Sequence, residues 1–362
     1  MVAGQVLHLS SQPGGVSPLT AVGTASELAQ ALSAADAGGQ PSTLAIQLDL
    51  DLDAPVDEVE QVPADRSVVL TLDPELRHLR LAIVVGPGVL RSGAVAGVLS
   101  LATTSGIPVL NTWGAKGVLR WDSPFHAGTA GLQADDWLLG GVAEADVVIA
   151  SGIDPWEVDL ESINPVVQHV SPAQLASLLL RWPTRQVAPR PALYDTLAAV
   201  ARPLYELESS PLSAARAALH CSGAAPDGAV VVGDVDLAGF WLARTFPTGV
   251  PGSVAVPARR IEGFAAAGTL MARLAGVGAV GVTTSTDGPM TTAVLDLARS
   301  LGAGCVVQEW TEDGWIGSTV AHVEHTTAAF HAPEVRVDSV SVDLDPASFV
   351  EVAGAVDLRF LA

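Results

Sequence analysis

The feature that most constrains this chain is a succession of short, β-branched apolar runs, several of which end at glycine-containing turns. They fall at 81–85, 107–110, 146–150, 229–232, 277–282 and 305–307. Helix-like segments separate them at 92–105, 135–143, 264–274 and 290–301. Strands this short, apolar on both sides and alternating with helices, belong in a parallel sheet covered on both faces. The pattern predicts an α/β protein with two doubly wound parallel-sheet domains.

The flanking segments are less regular. Residues 26–35 read as a short helix, with Thr24 or Ser26 as its N-cap. After Gly38-Gly39 the stretch 43–50 alternates like a strand, and the acidic, proline-bounded 52–63 reads as a linker. A proline-rich joint at 181–191 leads into a helical stretch running to 218. The tail alternates at 335–342, which predicts an edge strand.

Charge narrows the choice of partner. Thirty-nine acidic residues against 18 basic give a formal charge of −21, a field that repels phosphate backbones and argues against nucleic acid. A small anion is still admissible, because backbone N–H groups and a bound cation reverse the sign locally. No apolar run approaches the ~20 residues of a membrane span. Residues 1–10 carry no Lys or Arg and no long apolar block, unlike a signal peptide. Cys221 and Cys305 are the only cysteines and form no Cys-x-x-Cys pair, which fits a reducing, cytoplasmic setting.

Single residue types carry further expectations. Cys305 lies in an apolar run and is expected in the core. Lys116, the only lysine, is expected to pack its stem and leave its ammonium in water. His322, His325 and His331 have no Cys or His partner at zinc spacing and are expected on the surface. The eight tryptophans are mostly expected in cores or interfaces. Neither a nucleophile elbow nor a Walker loop occurs.

The stretch 83–154 reads I-V-V-G-P-G-V-L-R-S-G-A, then I-P-V-L-N-T-W-G-A-K-G-V, D-S-P-F-H-A-G-T-A-G and A-E-A-D-V-V-I-A-S-G. In this order the segments resemble the middle domain of the acetolactate synthase-like, thiamine diphosphate-dependent enzymes. Flavin-containing relatives hold FAD or another adenine nucleotide in that domain. The glycines also have a plain backbone reading, since tight strand-to-helix turns require φ > 0.

A second stretch resembles the diphosphate-binding domain of the same family, where a Gly-Asp-Gly and an Asn-Asn turn hold Mg²⁺ on the diphosphate of thiamine diphosphate. Thr286-Asp287-Gly288 and Glu312-Asp313-Gly314 stand in those places. Mg²⁺ takes hard oxygen ligands and bridges carboxylate to phosphate. The resemblance therefore implies Asp287, Asp313 and the Trp315 carbonyl as metal ligands, with Thr286 and Gly288 at the cofactor. It also implies that Asp234 and Asp236 face the diphosphate, and that Glu262-Gly263 stand near the aminopyrimidine. Three positions depart from the family. Thr286 replaces a glycine, Glu262 replaces a methionine, and Glu312 adds a carboxylate beside an anionic group.

On this resemblance the chain divides into a remnant of the pyrimidine-binding domain with its linker (1–61), a middle domain (62–170) and a diphosphate-binding-like domain (171–362). The family's ylid-forming glutamate belongs to the pyrimidine-binding domain. Glu27, the earliest glutamate, sits on the terminal helix rather than after a strand, so no catalytic residue is assigned. Two functions follow. One is a partial thiamine diphosphate-dependent lyase or transferase, for 2-keto acid decarboxylation or carboligation, completed by a separate pyrimidine-domain subunit. The other is a non-catalytic binding or scaffold protein that retains the fold and has lost the cofactor. Either would associate, as a homo-oligomer or with a partner, to cover apolar faces otherwise left exposed.

Overall fold

In the computed structural model of this protein the apolar runs become the strands of two all-parallel sheets, with a further small sheet near the N-terminus. The structure describes residues 6–10, 19–22, 24, 26–27, 43–47, 79–178 and 188–361. The chain divides into two compact units, Met1–Val68 and Val69–Ala362.

In the first unit β1 (Val6–Ser10) pairs antiparallel, and β2 (Leu19–Val22) parallel, with a central β3 (Thr43–Gln47). The predicted strand at 43–50 thus holds through Gln47. Thr24 is the N-cap: its Oγ1 accepts from the Glu27 N–H at 3.1 Å, and Glu27 Oε2 accepts from the Thr24 N–H at 3.1 Å. That reciprocal pair is a capping box, and residues 26–27 are helical. The remainder of the helix predicted at 26–35 and the linker at 52–63 lie outside the described residues.

The second unit opens with β4 (Leu81–Val85), α1 (Val95–Ser105), β5 (Val109–Thr112), β6 (His126–Ala130), β7 (Val147–Ser151), β8 (Val167–His169) and α2 (Pro172–Leu178). Their sheet runs β6-β5-β4-β7-β8, and every residue of β5, β6 and β7 is buried. Strand β6 escapes sequence reading because its His, Gly and Thr break the apolar run although the strand itself is fully buried. The helix predicted at 135–143 shrinks to Asp136–Leu139, ended by Gly140 and by Gly141 in a left-handed conformation (φ 72°).

Next come α3 (Ala192–Glu206), β9 (Leu212–Ser213) and α4 (Ala214–Ala224), followed by β10 (Val230–Gly233), α5 (Leu237–Thr245) and β11 (Val254–Ala255). Then follow α6 (Phe264–Leu274), β12 (Ala279–Thr283), α7 (Pro289–Leu301), β13 (Cys305–Thr311), α8 (Thr319–Ala329), β14 (Val335–Asp343) and α9 (Ala347–Ala353). The single helical stretch predicted up to 218 is broken at 207–213, where Pro211 has no N–H to continue a helix. The sheet order is β11-β10-β12-β13-β14-β9. Strand β14 is therefore not the edge: Val342 and Asp343 pair with Leu212 and Ser213 of β9. A two-residue strand carries too little periodicity to be read in advance, so its return beside the tail is visible only in the fold.

Helix α5 joins the core of the second sheet to the first. Eight of its nine residues are buried. Arg244 donates from Nη1 to the Thr129 carbonyl (2.8 Å) and from Nη2 to both oxygens of Asp136 (2.9 and 2.8 Å). Asp136 also accepts the Leu132 and Gln133 N–H groups at 2.8 and 3.0 Å. The two side chains are 1% and 0% exposed, and removing one partner of so buried a pair typically costs 3–5 kcal/mol. Among the described residues no helix is long and apolar enough to cross a membrane.

Candidate functional site

From β10 the chain steps to β11 on one side and then to β12 on the other, so the order reverses between β10 and β12. Ligands of open parallel sheets bind at such a switch point, outside the carboxyl ends of the strands. The loops after β10, β12 and β13 meet that edge. They carry Asp234 and Asp236, Thr286 to Gly288, and Asp313 and Trp315. Helix α6 begins beside them and brings Glu262 and Gly263. The fold thus gathers every candidate residue at one end of one sheet.

What the gathered residues do is mostly internal. Asp236 is the N-cap of α5: its Oδ1 accepts from the Gly239 N–H at 2.9 Å. Its Oδ2 accepts from the Thr284 N–H (2.7 Å), the Thr284 hydroxyl (2.9 Å) and the Thr283 hydroxyl (3.0 Å). One carboxylate therefore ties the β10 loop to the β12 loop across the switch point. Asp234 accepts the Ala265 N–H at 2.8 Å at the start of α6; burial holds its pKa above the usual aspartate value. Gly263 is left-handed (φ 72°), and a side chain there would meet the backbone of Thr291 at 2.9 Å.

The loop after β12 is the place where an anion would be expected, since it feeds the N-terminus of α7. Several of its donors are already engaged. Thr286 gives its N–H to Glu309 Oε1 at 2.9 Å and its hydroxyl to the same oxygen at 3.3 Å. Glu262 Oε1 accepts the Met290 N–H at 3.2 Å and lies against Gly288. The Asp287 N–H goes to Ser285 Oγ at 3.3 Å. Gly288 is the α7 N-cap in extended conformation, with Pro289 following at N1. Glu309 was not singled out from sequence. Its signal was there, the one charged residue of strand β13, near its carboxyl end.

The expected metal ligands differ from the rest. Asp287 and Asp313 are exposed, and neither carboxylate makes a hydrogen bond or ion pair within the described residues. Trp315 is 64% exposed, its ring edge-on to His325 at 5.1 Å. Among the described residues no group of three or more His, Cys, Asp or Glu is placed to hold a metal ion. A doubly phosphorylated cofactor does not fit this loop as it stands. It would have to displace Glu262 and Glu309 from the N–H groups it needs, against their negative charge.

The first sheet has its own switch point, between β4 and β7. Here backbone meets backbone. Gly86 donates to the Ser151 carbonyl (2.9 Å) and Gly88 to the Gly152 carbonyl (2.8 Å). Gly152 is left-handed (φ 63°), and a Cβ on it would lie 2.5 Å from Val89 N. Close by, Glu157 is 3% exposed, accepting the Thr112 hydroxyl and the Gly114 N–H (2.7 Å). Burial pushes its pKa up to about 7. Nothing in its sequence setting, Asp154-Pro155-Trp156-Glu157, marks it for the interior.

Two expectations about single residues are corrected. Lys116 does not keep its ammonium in water: it is 8% exposed, and Nζ donates to the Ala243 carbonyl near the end of α5 at 2.8 Å. Burial, then the Arg244 charge, brings its pKa down to about 7. His322 is not a surface residue but fully buried; its Nδ1 lies 3.0 Å from that of His220, and its Nε2 lies 3.2 Å from Gln308 Oε1. Both reversals share a cause. The residues lie on elements that turn inward against α5 and α4, a long-range placement without local signature. Cys305 is buried as expected. Of the tryptophans, Trp113, Trp241 and Trp310 are buried, whereas Trp121 and Trp315 are exposed.

Against known proteins, residues 77–172 match the family model for the central domain of thiamine pyrophosphate enzymes. A solved structure from Mycobacterium smegmatis, described as a "putative thiamin diphosphate-dependent enzyme", superposes with a TM-score of 0.60. That likeness covers 91% of this chain and 76% of the other at 18% identity, so it is one of fold. No curated protein matches the chain. The β4–β8 region is thus similar in sequence to the central domain of thiamine pyrophosphate enzymes, and the larger α/β architecture is similar in fold to the mycobacterial protein.

Proposed function

We propose that this chain is a non-catalytic binding or scaffold protein that has kept an acetolactate synthase-like middle domain (62–170) and a diphosphate-binding-like domain (171–362), and has given up the cofactor. On this reading residues 1–61 resemble the end of a pyrimidine-binding domain. The supporting observation is that the protein's own carboxylates occupy the approach to α7: Glu309 holds the Thr286 N–H in the preceding loop, and Glu262 holds the Met290 N–H in the first turn. A ligand that binds only the native state raises its melting temperature by mass action. Thiamine diphosphate with Mg²⁺ is expected to leave the melting temperature of this chain unchanged; a Mg²⁺-dependent rise would overturn the reading.

A second reading has its own support in the exposed, unengaged carboxylates of Asp287 and Asp313 after adjacent strands. In it the chain is one subunit of a lyase or transferase, and a pyrimidine-domain partner supplies the ylid-forming glutamate. The partner would have to draw Glu262 and Glu309 away from the loop. Calorimetry of thiamine diphosphate and Mg²⁺ against this chain mixed with a pyrimidine-domain subunit separates the two. Heat in the mixture alone favours the subunit.

Either role carries association. Met271 and Leu274 on α6 and Met290, Leu297 and Leu301 on α7 are 50–71% exposed, an apolar surface suited to a second copy. Size exclusion with light scattering is expected to give a dimer or larger.

A further inference from the structure

One cavity stands apart from both switch points. It has a volume of about 80 Å³ and opens between β6, α3 and the end of α5. Lys116, His126, Arg202 and Arg244 line it, and no Asp or Glu does. In a chain with 39 acidic and 18 basic residues that inversion of sign is a local arrangement rather than a reflection of composition.

Burial brings the His126 pKa down to about 4, so its ring is neutral near pH 7, and the remaining cations are incompletely matched. Lys116 Nζ carries three protons when charged, and the Ala243 carbonyl is its one hydrogen-bond acceptor among the described residues. Arg244 is neutralised by Asp136, and its buried Nε has no partner among the described residues. Arg190, outside the lining, stacks 4.2 Å over the ring of Tyr194, a lining residue. His126 is held between Asn111 Oδ1 (2.9 Å) and the Trp121 carbonyl (3.2 Å). A buried ammonium with protons left unmatched is unfavourable, and a carboxylate beside Lys116 would accept them. Burial, then the Arg244 charge, lowers the Lys116 pKa, and an anion in the cavity would favour its charged form.

The remaining walls choose among anions. Leu197, Ala198, Ala201 and Phe349 are apolar, and the Tyr205 and Thr245 hydroxyls are spent on the Thr245 and Trp241 carbonyls, which leaves few donors for the several oxygens of inorganic phosphate. Trp121, 44% exposed, and the exposed Arg202 stand at the open side. We propose that this cavity is a binding site for a short organic carboxylate, its charge set against Lys116 and its apolar body against Leu197 and Ala201. The site is separate from the cofactor cradle and does not depend on what that cradle holds.

Titration of the full chain with butyrate, butyramide and inorganic phosphate, followed by calorimetry and tryptophan fluorescence, tests it. Butyrate is expected to bind at least tenfold more tightly than its neutral amide and than phosphate. Lys116→Met, which removes a buried charge, is expected to lose tenfold or more in butyrate affinity. Arg202→Gln, an exposed change that leaves the core alone, is expected to lose about threefold. Equal binding of amide and acid, tighter binding of phosphate, no response to butyrate in the folded wild type, or unchanged affinity in Arg202→Gln and a folded Lys116→Met would each overturn the proposal.

Discussion

The two parallel sheets close their switch points by different means. Between β4 and β7 the closure is backbone on backbone, made by Gly86, Gly88 and Gly152 with no side chain involved. Between β10 and β12 it is made by carboxylates: Asp236 bridges the two loops, while Glu309 and Glu262 hold the loop that leads into α7. A glycine seam has no moving part. A carboxylate seam can be opened by substitution or by a competing cation, so only the second crevice is poised to change state.

The largest expected effect comes from forcing a side chain into the glycine seam. In Gly152→Ala the methyl meets Val89 N at 2.5 Å on a residue with φ 63°. Left-handed strain and overpacking together should destabilise the protein by roughly 3–5 kcal/mol, read as a lower urea midpoint. A loss below about 1 kcal/mol would mean the seam relaxes easily, and the contrast with the second crevice would collapse.

Next in size is the buried carboxylate near the first crevice. Glu157 has a folded pKa of about 7 against an ordinary 4.5, so the folded protein holds more protons than the unfolded chain across that window. Its contribution to stability therefore falls as pH rises from 4.5 to 7 and stays low above. Glu157→Gln keeps an acceptor for the Gly114 N–H and a donor for Thr112 but cannot ionise. The variant should gain about 3 kcal/mol over wild type at pH 8 and nothing at pH 4. Equal gains at both pH values would show that packing, not ionisation, is responsible.

The smallest effect on stability belongs to the carboxylate seam. Glu262→Ala with Glu309→Ala removes two exposed or half-buried acceptors and should cost about 1 kcal/mol. Its value lies in the second readout. If these carboxylates are what excludes the cofactor, the double variant will show a Mg²⁺-dependent thermal shift with thiamine diphosphate that wild type lacks. No shift in either would place the defect elsewhere in the cradle.

Much of this was legible in the amino-acid order. The run Leu81–Val85 and the helices Phe264–Leu274 and Pro289–Leu301 follow from periodicity and from glycine and proline at their ends. The positions of Asp234, Asp236, Asp287 and Asp313 at strand ends were equally readable, since a strand followed by a turn puts those residues at the carboxyl edge. The engagement of their side chains was not. Asp236 spends both oxygens on donors from two loops, whereas Asp287 spends neither. Both look alike as an acidic residue in a polar turn.

The sequence by itself determined the α/β class, because strand and helix periodicities and turn residues are local properties of the chain. It also determined which residues stand at the strand ends. Only the tertiary structure decided that β14 lies inside its sheet, that Lys116 and His322 are buried, and that glutamates thread the loop before α7. Those outcomes depend on which distant elements come to rest against one another. Desolvation and hydrogen-bond satisfaction act on the neighbours a residue acquires in space, and sequence separation carries no record of them.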